Sequence, residues 1–144
     1  MATLSKSERP KIHIPLRPLD YALEALAVIS LLLLLGLAML NYGQLPEQIP
    51  THYNINGNPD GFGSKTSLWV LPLVGFVLYV IMTLINRRPE NFNYLVKITP
   101  ENAAVQYTMA TRVIRSMKAF VMLLFAFLVW RTIGIVNGEA EGLF

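Results

Sequence analysis

Apolar positions along this chain gather into three blocks instead of recurring on one face. Residues 25–40 are sixteen in a row without a charge, 68–85 are eighteen, and 119–136 are another eighteen interrupted only by Arg131. A hydrocarbon core of about 30 Å takes about 20 helical residues at 1.5 Å each. None of the blocks carries the polar stripe that a water-facing helix needs. Unpaired backbone is too costly in lipid for such runs to cross it as anything but helix. The pattern therefore predicts an all-α integral membrane protein with three transmembrane helices. It adds an ordered outer loop between helices 1 and 2, and an amphipathic cytoplasmic helix leading into helix 3.

The polar stretches divide the chain further. Residues 1–20 read as a basic cytoplasmic arm, broken by Pro10, Pro15 and Pro18 and expected to be disordered beside anionic headgroups. Residues 21–86 read as a two-span domain with its outer loop at 42–66, residues 87–118 as a cytoplasmic segment with the amphipathic helix, and residues 119–144 as the third span with a short outer tail. Asp20 suits the N-cap of span one, with Glu24 in its first turns near the positive end of the helix dipole. Glu24 is read as reaching water at the interface, with a buried functional acid as the alternative. Span two is expected to begin at Ser64, with Pro72 freeing the Leu68 carbonyl and bending the helix, and with Gly75 allowing a close neighbour. Residues 92–98 alternate Phe92, Tyr94, Val96 and Ile98 and read as extended. Thr99-Pro100-Glu101 reads as a helix start. Val105, Met109, Val113 and Met117 then recur every four residues, opposite Glu101, Gln106, Arg112 and Arg115, and read as the apolar face of one amphipathic helix, cytoplasmic or lying at the interface, that runs into span three.

Composition sharpens this picture in two ways. Of 144 residues 53% are hydrophobic and 15% charged, well under the roughly 25% charged of a soluble domain. There is no cysteine, which excludes a disulfide scaffold, a CxxC zinc site and a catalytic thiol. The first block is longer than the roughly 7–15 apolar residues of a signal peptide and lacks an A-x-A site, so it is expected to stay as an anchor. The net charge of +3 is spread in separate clusters, which argues against nucleic acid as a partner. Lys and Arg number four in residues 1–20, one (Lys65) in 41–67, six in 86–118, and none after 136. The positive-inside rule therefore sets the N-terminus and second loop in the cytoplasm, with the first loop and C-terminus outside. The basic cluster Arg112, Arg115 and Lys118 is read as anchoring to anionic lipid.

The outer loop, residues 45–66, carries the chemistry. It is dense in turn formers, with Asn56-Gly57 and Pro59-Asp60-Gly61 as turn signals and residues 49–55 as a short strand. A plain linker needs only a few residues, so this length points to a compact cap on the bundle. Asn56, Asn58, Asp60, Gly61, Phe62 and Ser64 match part of a calcium loop, but position 12 is Ser67 and Asp60 is the one acid. A turn whose Asn side chains bond their own backbone explains the same residues, and no metal or other cofactor is expected. His52 with Asp60 or Glu47 forms a candidate acid–base pair and Lys65 a candidate anion contact, without a nucleophile or second histidine to make a catalytic set. Arg131, beside Trp130, either snorkels to the outer headgroups or turns inward to Asp60 or Glu47.

The loop string L-P-x-x-I-P-x-H-Y-N-x-x-G-x-P-D-G-F-G-S-K between two spans resembles the N-terminal DUF-type membrane domain of the SdpI-like immunity family. Residues 91–102, with Gln106-Tyr107 and Ala110-Thr111-Arg112, are also similar to short members of it. Between them these stretches cover most of residues 21–136. The resemblance implies a short member lacking the family's later spans, in a bacterial inner membrane. It carries over Pro46, Pro50, His52, Asn54, Gly57, Asp60, Ser64 and Lys65 as ligand-binding or loop-structuring positions, to which the reading of the residues adds Arg131. It also implies immunity against a secreted, membrane-active killing peptide. The expected function is thus a non-enzymatic membrane protein whose outer loop meets a membrane-active peptide or lipid. One alternative is an accessory subunit packed on a larger membrane transporter or signalling protein. Another is a weak metal-binding or hydrolytic cap.

Overall fold

A computed structural model of the chain describes residues 5–144; the first four positions of the basic arm lie outside the described residues. Three long helices dominate: α1 (Pro18–Asn41), α2 (Val70–Ile85) and α3 (Ala103–Val136). Between α1 and α2 stands an antiparallel hairpin of β1 (Gln48–Tyr53) and β2 (Pro59–Ser64). With the flanking 3-10 turns, all three helical segments are long and apolar enough to cross a membrane. The chain is a multi-pass membrane-type protein, mostly helical, with one small sheet added to the expected architecture.

Packing explains why so much apolar surface stays outside. The core is a narrow seam of Leu31, Leu34, Ala38, Met122, Ala126, Val129 and Ile133, extended by Leu45, Ile49 and Leu68 beneath the hairpin. α3 lies chiefly on α1, and α2 joins them at Gly75. A Cβ there would stand 2.9 Å from the end of the Leu34 side chain and 3.3 Å from Phe125, so glycine lets the helices approach. Leu32, Leu33, Phe76, Val77 and Phe120 point away from that seam and are at least half exposed. Water would penalise so continuous an apolar belt, whereas acyl chains solvate it.

Several local expectations are corrected. α1 starts at Pro18 rather than after Asp20; Pro18 takes the first helical position, where its missing N–H costs nothing. The Asp20 carboxylate instead reaches back to accept the Arg17 N–H at 2.9 Å. Pro72 leaves no orphan carbonyl in mid-helix, because residues Lys65–Trp69 form a 3-10 turn and Pro72 falls in the first turn of α2. Residues 92–98 pair with no strand. They follow a 3-10 turn (Pro89–Asn91) and lay Tyr94 and Ile98 on Tyr107 and Ala103 in a second, smaller core. Thr99 and Asn102 bond each other's backbone N–H groups, and α3 begins at Ala103, three residues later than Pro100 suggests.

The arm is corrected too. Arg9 donates to the carbonyls of Glu90 and Phe92 at 3.0 and 2.7 Å and lies over the Tyr94 ring, so residues 5–17 are an ordered strap over the start of α3, not a disordered tail.

Candidate functional site

The hairpin end of the bundle holds most of the residues singled out by sequence, but in separate roles. Asn54 organises the turn: its Oδ1 accepts the N–H groups of Asn56 and Asn58 at 2.9 and 3.1 Å, as an asparagine-bonded turn requires. Gly57 follows with φ +80°, a conformation that glycine adopts without cost. Ser64 caps the 3-10 turn into α2, its Oγ accepting the Thr66 N–H at 3.4 Å. Pro46 is exposed ahead of β1, and Pro50 is buried opposite Phe62. Lys65 pairs with Glu47 at 2.9 Å, and so spends its charge within the cap.

His52 takes Asp60, not Glu47, through Nδ1 and Oδ1. Gly61 faces His52 across the hairpin, where a Cβ would come within 2.9 Å of the His52 Cβ. Both members of the pair are exposed. The one acid of the candidate calcium loop is therefore bonded to a histidine. Among the described residues no group of three or more His, Cys, Asp or Glu could hold a metal ion.

Arg131 does neither of the things expected. It turns back onto the C-terminal tail, donating from Nε to the Leu143 carbonyl at 3.1 Å and from a second nitrogen to the Gly142 carbonyl. The tail in turn donates the Leu143 N–H to the Gly57 carbonyl at 2.9 Å. Gly142 lies so close to that carbonyl that a Cβ would stand 2.9 Å from it. Arg131 thus clamps the tail against the hairpin turn. Asp60 and Glu47 are elsewhere because both already have partners in the cap.

Two residues that the sequence does not pair join the hairpin to the bundle. Tyr53 Oη and Thr132 Oγ1 lie 2.7 Å apart, and Thr132 also donates to the Leu128 carbonyl. Burial pushes the Tyr53 phenol above its ordinary pKa, against a smaller opposite effect of the Thr132 bond. Beside this link is a groove of about 360 Å³ between α2 and α3, roofed by Ile49, Pro50 and Thr51 and floored by Leu71, Leu128 and Val129. Its lining is apolar with a few polar groups at one end, the usual make-up of a small binding site.

The opposite end carries an ion network that the sequence reading assigned to lipid anchoring. Arg112 holds Asp20 with two bonds, at 2.9 and 3.2 Å. Glu24 accepts from Arg115 at 3.2 Å and from Lys118 at 2.6 Å, and Lys118 also donates to Thr83. Lys118 is 1% exposed and lies 4.6 Å from the centre of the Tyr79 ring. So Arg112, Arg115 and Lys118 face the bundle, while Val105, Met109, Val113 and Met117 are the exposed side of α3. Glu24 likewise bonds to α3 instead of simply reaching water. The reversal has a simple cause: in lipid the apolar stripe belongs outside and the charges need partners inside. The sequence signal was present in the spacing, with acids four apart on α1 and cations three apart on α3.

Tyr94, outside the three spans, donates to the Pro89 carbonyl at 2.8 Å. Burial first, then the Tyr107 phenol, pushes its pKa up to about 12. An unfolded tyrosine ionises near 10, so the neutral phenol stabilises the fold fully below that pH and the contribution is lost as pH rises towards 12. Subtracting the phenolate absorbance titration of Tyr94→Phe from that of wild type should leave a transition near pH 12. A difference midpoint near 10 would show that the phenol is not held in this way.

The bundle and its cap define a membrane-type protein, and comparison with known proteins adds a family resemblance. Residues 29–76, the second half of α1 through the hairpin to Phe76, match the domain of unknown function DUF1648. The chain is also similar to an uncharacterized protein of Archaeoglobus fulgidus, at 40% identity over 87 residues, covering 55% of this chain and 48% of that protein. The chain thus spans about half the length of the curated relative it matches. No solved structure matches it.

Proposed function

We propose that this chain is a non-enzymatic binding module of the SdpI-like immunity type, whose hairpin cap meets a membrane-active peptide at the outer face of a cell membrane. The observation that carries the reading is the groove roofed by Ile49, Pro50 and Thr51, placed where the cap joins the helices. An apolar side chain of a peptide lying at the interface fits such a lining, and backbone or polar groups of the peptide then meet Thr51 and Ser67 at its rim. The proposed orientation rests on ten of the twelve Lys and Arg residues lying in residues 1–20 and 86–118, a bias that favours a hairpin on the outer side. By the resemblance the membrane is a bacterial one.

The test is sensitivity of cells to membrane-active peptides. Deletion of the gene should raise sensitivity, and Val70→Trp, at the exposed rim of the groove, should reproduce most of that effect. Val113→Trp, on the exposed face of α3 at the other end, should leave protection intact. Unchanged sensitivity on deletion sinks the proposal.

A second reading rests on the exposed stripe Val105, Met109, Val113 and Met117, which offers an accessory subunit a contact surface on a larger membrane protein. Crosslinking from Val113 that captures only lipid or a second copy of this chain counts against it.

A further inference from the structure

We infer that the arm end of the bundle holds a specific site for a phosphate-bearing group, in the pocket between the N-terminal strap and the end of α2. The site lies at the other end of the molecule from the groove and does not depend on how the groove is used.

Charge balance is the first argument. The ion network contains Asp20 and Glu24 against Arg112, Arg115 and Lys118, one positive charge more than negative. All five side chains are under a third exposed, with Lys118 at 1% and Arg115 at 12%. Surplus charge withdrawn from water is expensive unless an opposite charge reaches it. The donors show where it is left over. Arg112 spends two bonds on Asp20, and Lys118 is bonded to Glu24 and Thr83. Arg115 makes one hydrogen bond, from Nε to Glu24, although a guanidinium carries five N–H groups.

The second argument is the space that Arg115 faces. It lines a cavity of about 330 Å³, together with Arg87, His13, Ile14, Asn86 and Thr111. That volume falls within the range of small-molecule sites. Arg87 makes no ion pair among the described residues, so two guanidinium groups with free donors converge on one pocket. Planar forks of this kind suit the oxygens of a phosphate.

Asn86 refines the ligand. Its Nδ2 donates to the Thr111 carbonyl at 3.1 Å, which fixes the amide orientation, since the reverse would set two acceptors together. Its Oδ1 is then a buried acceptor with no partner, and such an atom calls for a donor. The group that satisfies the whole pocket therefore combines a phosphate with a hydroxyl or ammonium hydrogen. A glycerol or ethanolamine phosphodiester headgroup has this chemistry, and so does hydrogenphosphate. A choline headgroup has the phosphate but no hydrogen to donate.

The experiment uses the full chain in a neutral detergent and phosphate-free buffer, with Tm followed during titration. Three probes are added separately: inorganic phosphate, phosphatidylglycerol and phosphatidylcholine. A saturable rise in Tm with phosphatidylglycerol, and a smaller one with phosphatidylcholine, is expected. A rise with inorganic phosphate at similar affinity assigns the source to the soluble anion; a rise with lipid alone assigns it to a headgroup. Arg87→Gln, which breaks no ion pair of the network, should leave the basal Tm in place and weaken binding about tenfold, as loss of a charge-assisted hydrogen bond does. Asn86→Leu should abolish the preference for glycerol over choline. No saturable shift with any probe, or identical titrations for wild type and Arg87→Gln, overturns the site. Equal shifts for the two lipids on wild type overturn the role of Asn86.

Discussion

Asp20→Ala should cost this protein about 3 kcal/mol of stability, read as a lower melting temperature in detergent and a lower amount in the membrane. Removing the carboxylate leaves three cations, Arg112, Arg115 and Lys118, around Glu24 alone. Breaking one side of a buried pair is far worse than never having the pair, because the remaining charge has lost its water and gained nothing. The figure is set at the low end of the usual range because Arg112 is 29% exposed and recovers some hydration. The same logic predicts that Asp20→Leu combined with Arg112→Leu regains most of the loss, since two apolar side chains need no partners between helices. If Asp20→Ala melts with wild type, the network contributes nothing to holding α1 on α3.

Arg131→Ala should release the C-terminal tail from the hairpin turn. The guanidinium holds two tail carbonyls, and hydrogen bonds from a charged donor are worth about 1.5–3 kcal/mol each when buried. The site is half-buried, so about 2 kcal/mol in total is expected, confined to the tail and turn. Limited proteolysis should then cut within residues 138–144 well before the helices. Arg131→Lys should not restore protection, because an ammonium lacks the fork that spans two neighbouring carbonyls. Equal cleavage rates for wild type and Arg131→Ala would show that the Leu143 bond to the Gly57 carbonyl holds the tail without Arg131.

The features legible in the sequence share one property: each is decided by residues close together along the chain. A run of eighteen apolar residues at 68–85 is already long enough for a span, whatever it packs against. The turn at Asn56-Gly57 follows from the backbone freedom of glycine and the reach of Asn54 to its own neighbours. Ser64 ahead of α2 is a capping signal read within three residues. Local readings erred where a neighbouring element took over. Pro100 suggests a helix start that Thr99 and Asn102 delay, and Phe92 to Ile98 alternate like a strand because Tyr94 and Ile98 both seek the surface of Tyr107 and Ala103.

Of the candidate site, His52–Asp60 and the cap itself were legible, since their members lie within one hairpin. Arg131 was flagged as unusual by its place in an apolar block, but its partners on the tail follow only from the fold. The Tyr53–Thr132 pairing was not legible, its members lying 79 positions apart.

By itself, then, the sequence determined three spans, their approximate limits, a capped loop between the first two, and the lopsided distribution of cations. Only the tertiary structure decided which way the charges face. Asp20 and Arg112 stand 92 residues apart, and the periodicity of α3 alone suits either an apolar stripe turned inward in water or the same stripe turned outward in lipid. Burial of α1 against α3 resolves that choice. The acids of one helix meet the cations of the other, and the apolar stripe becomes the outer surface.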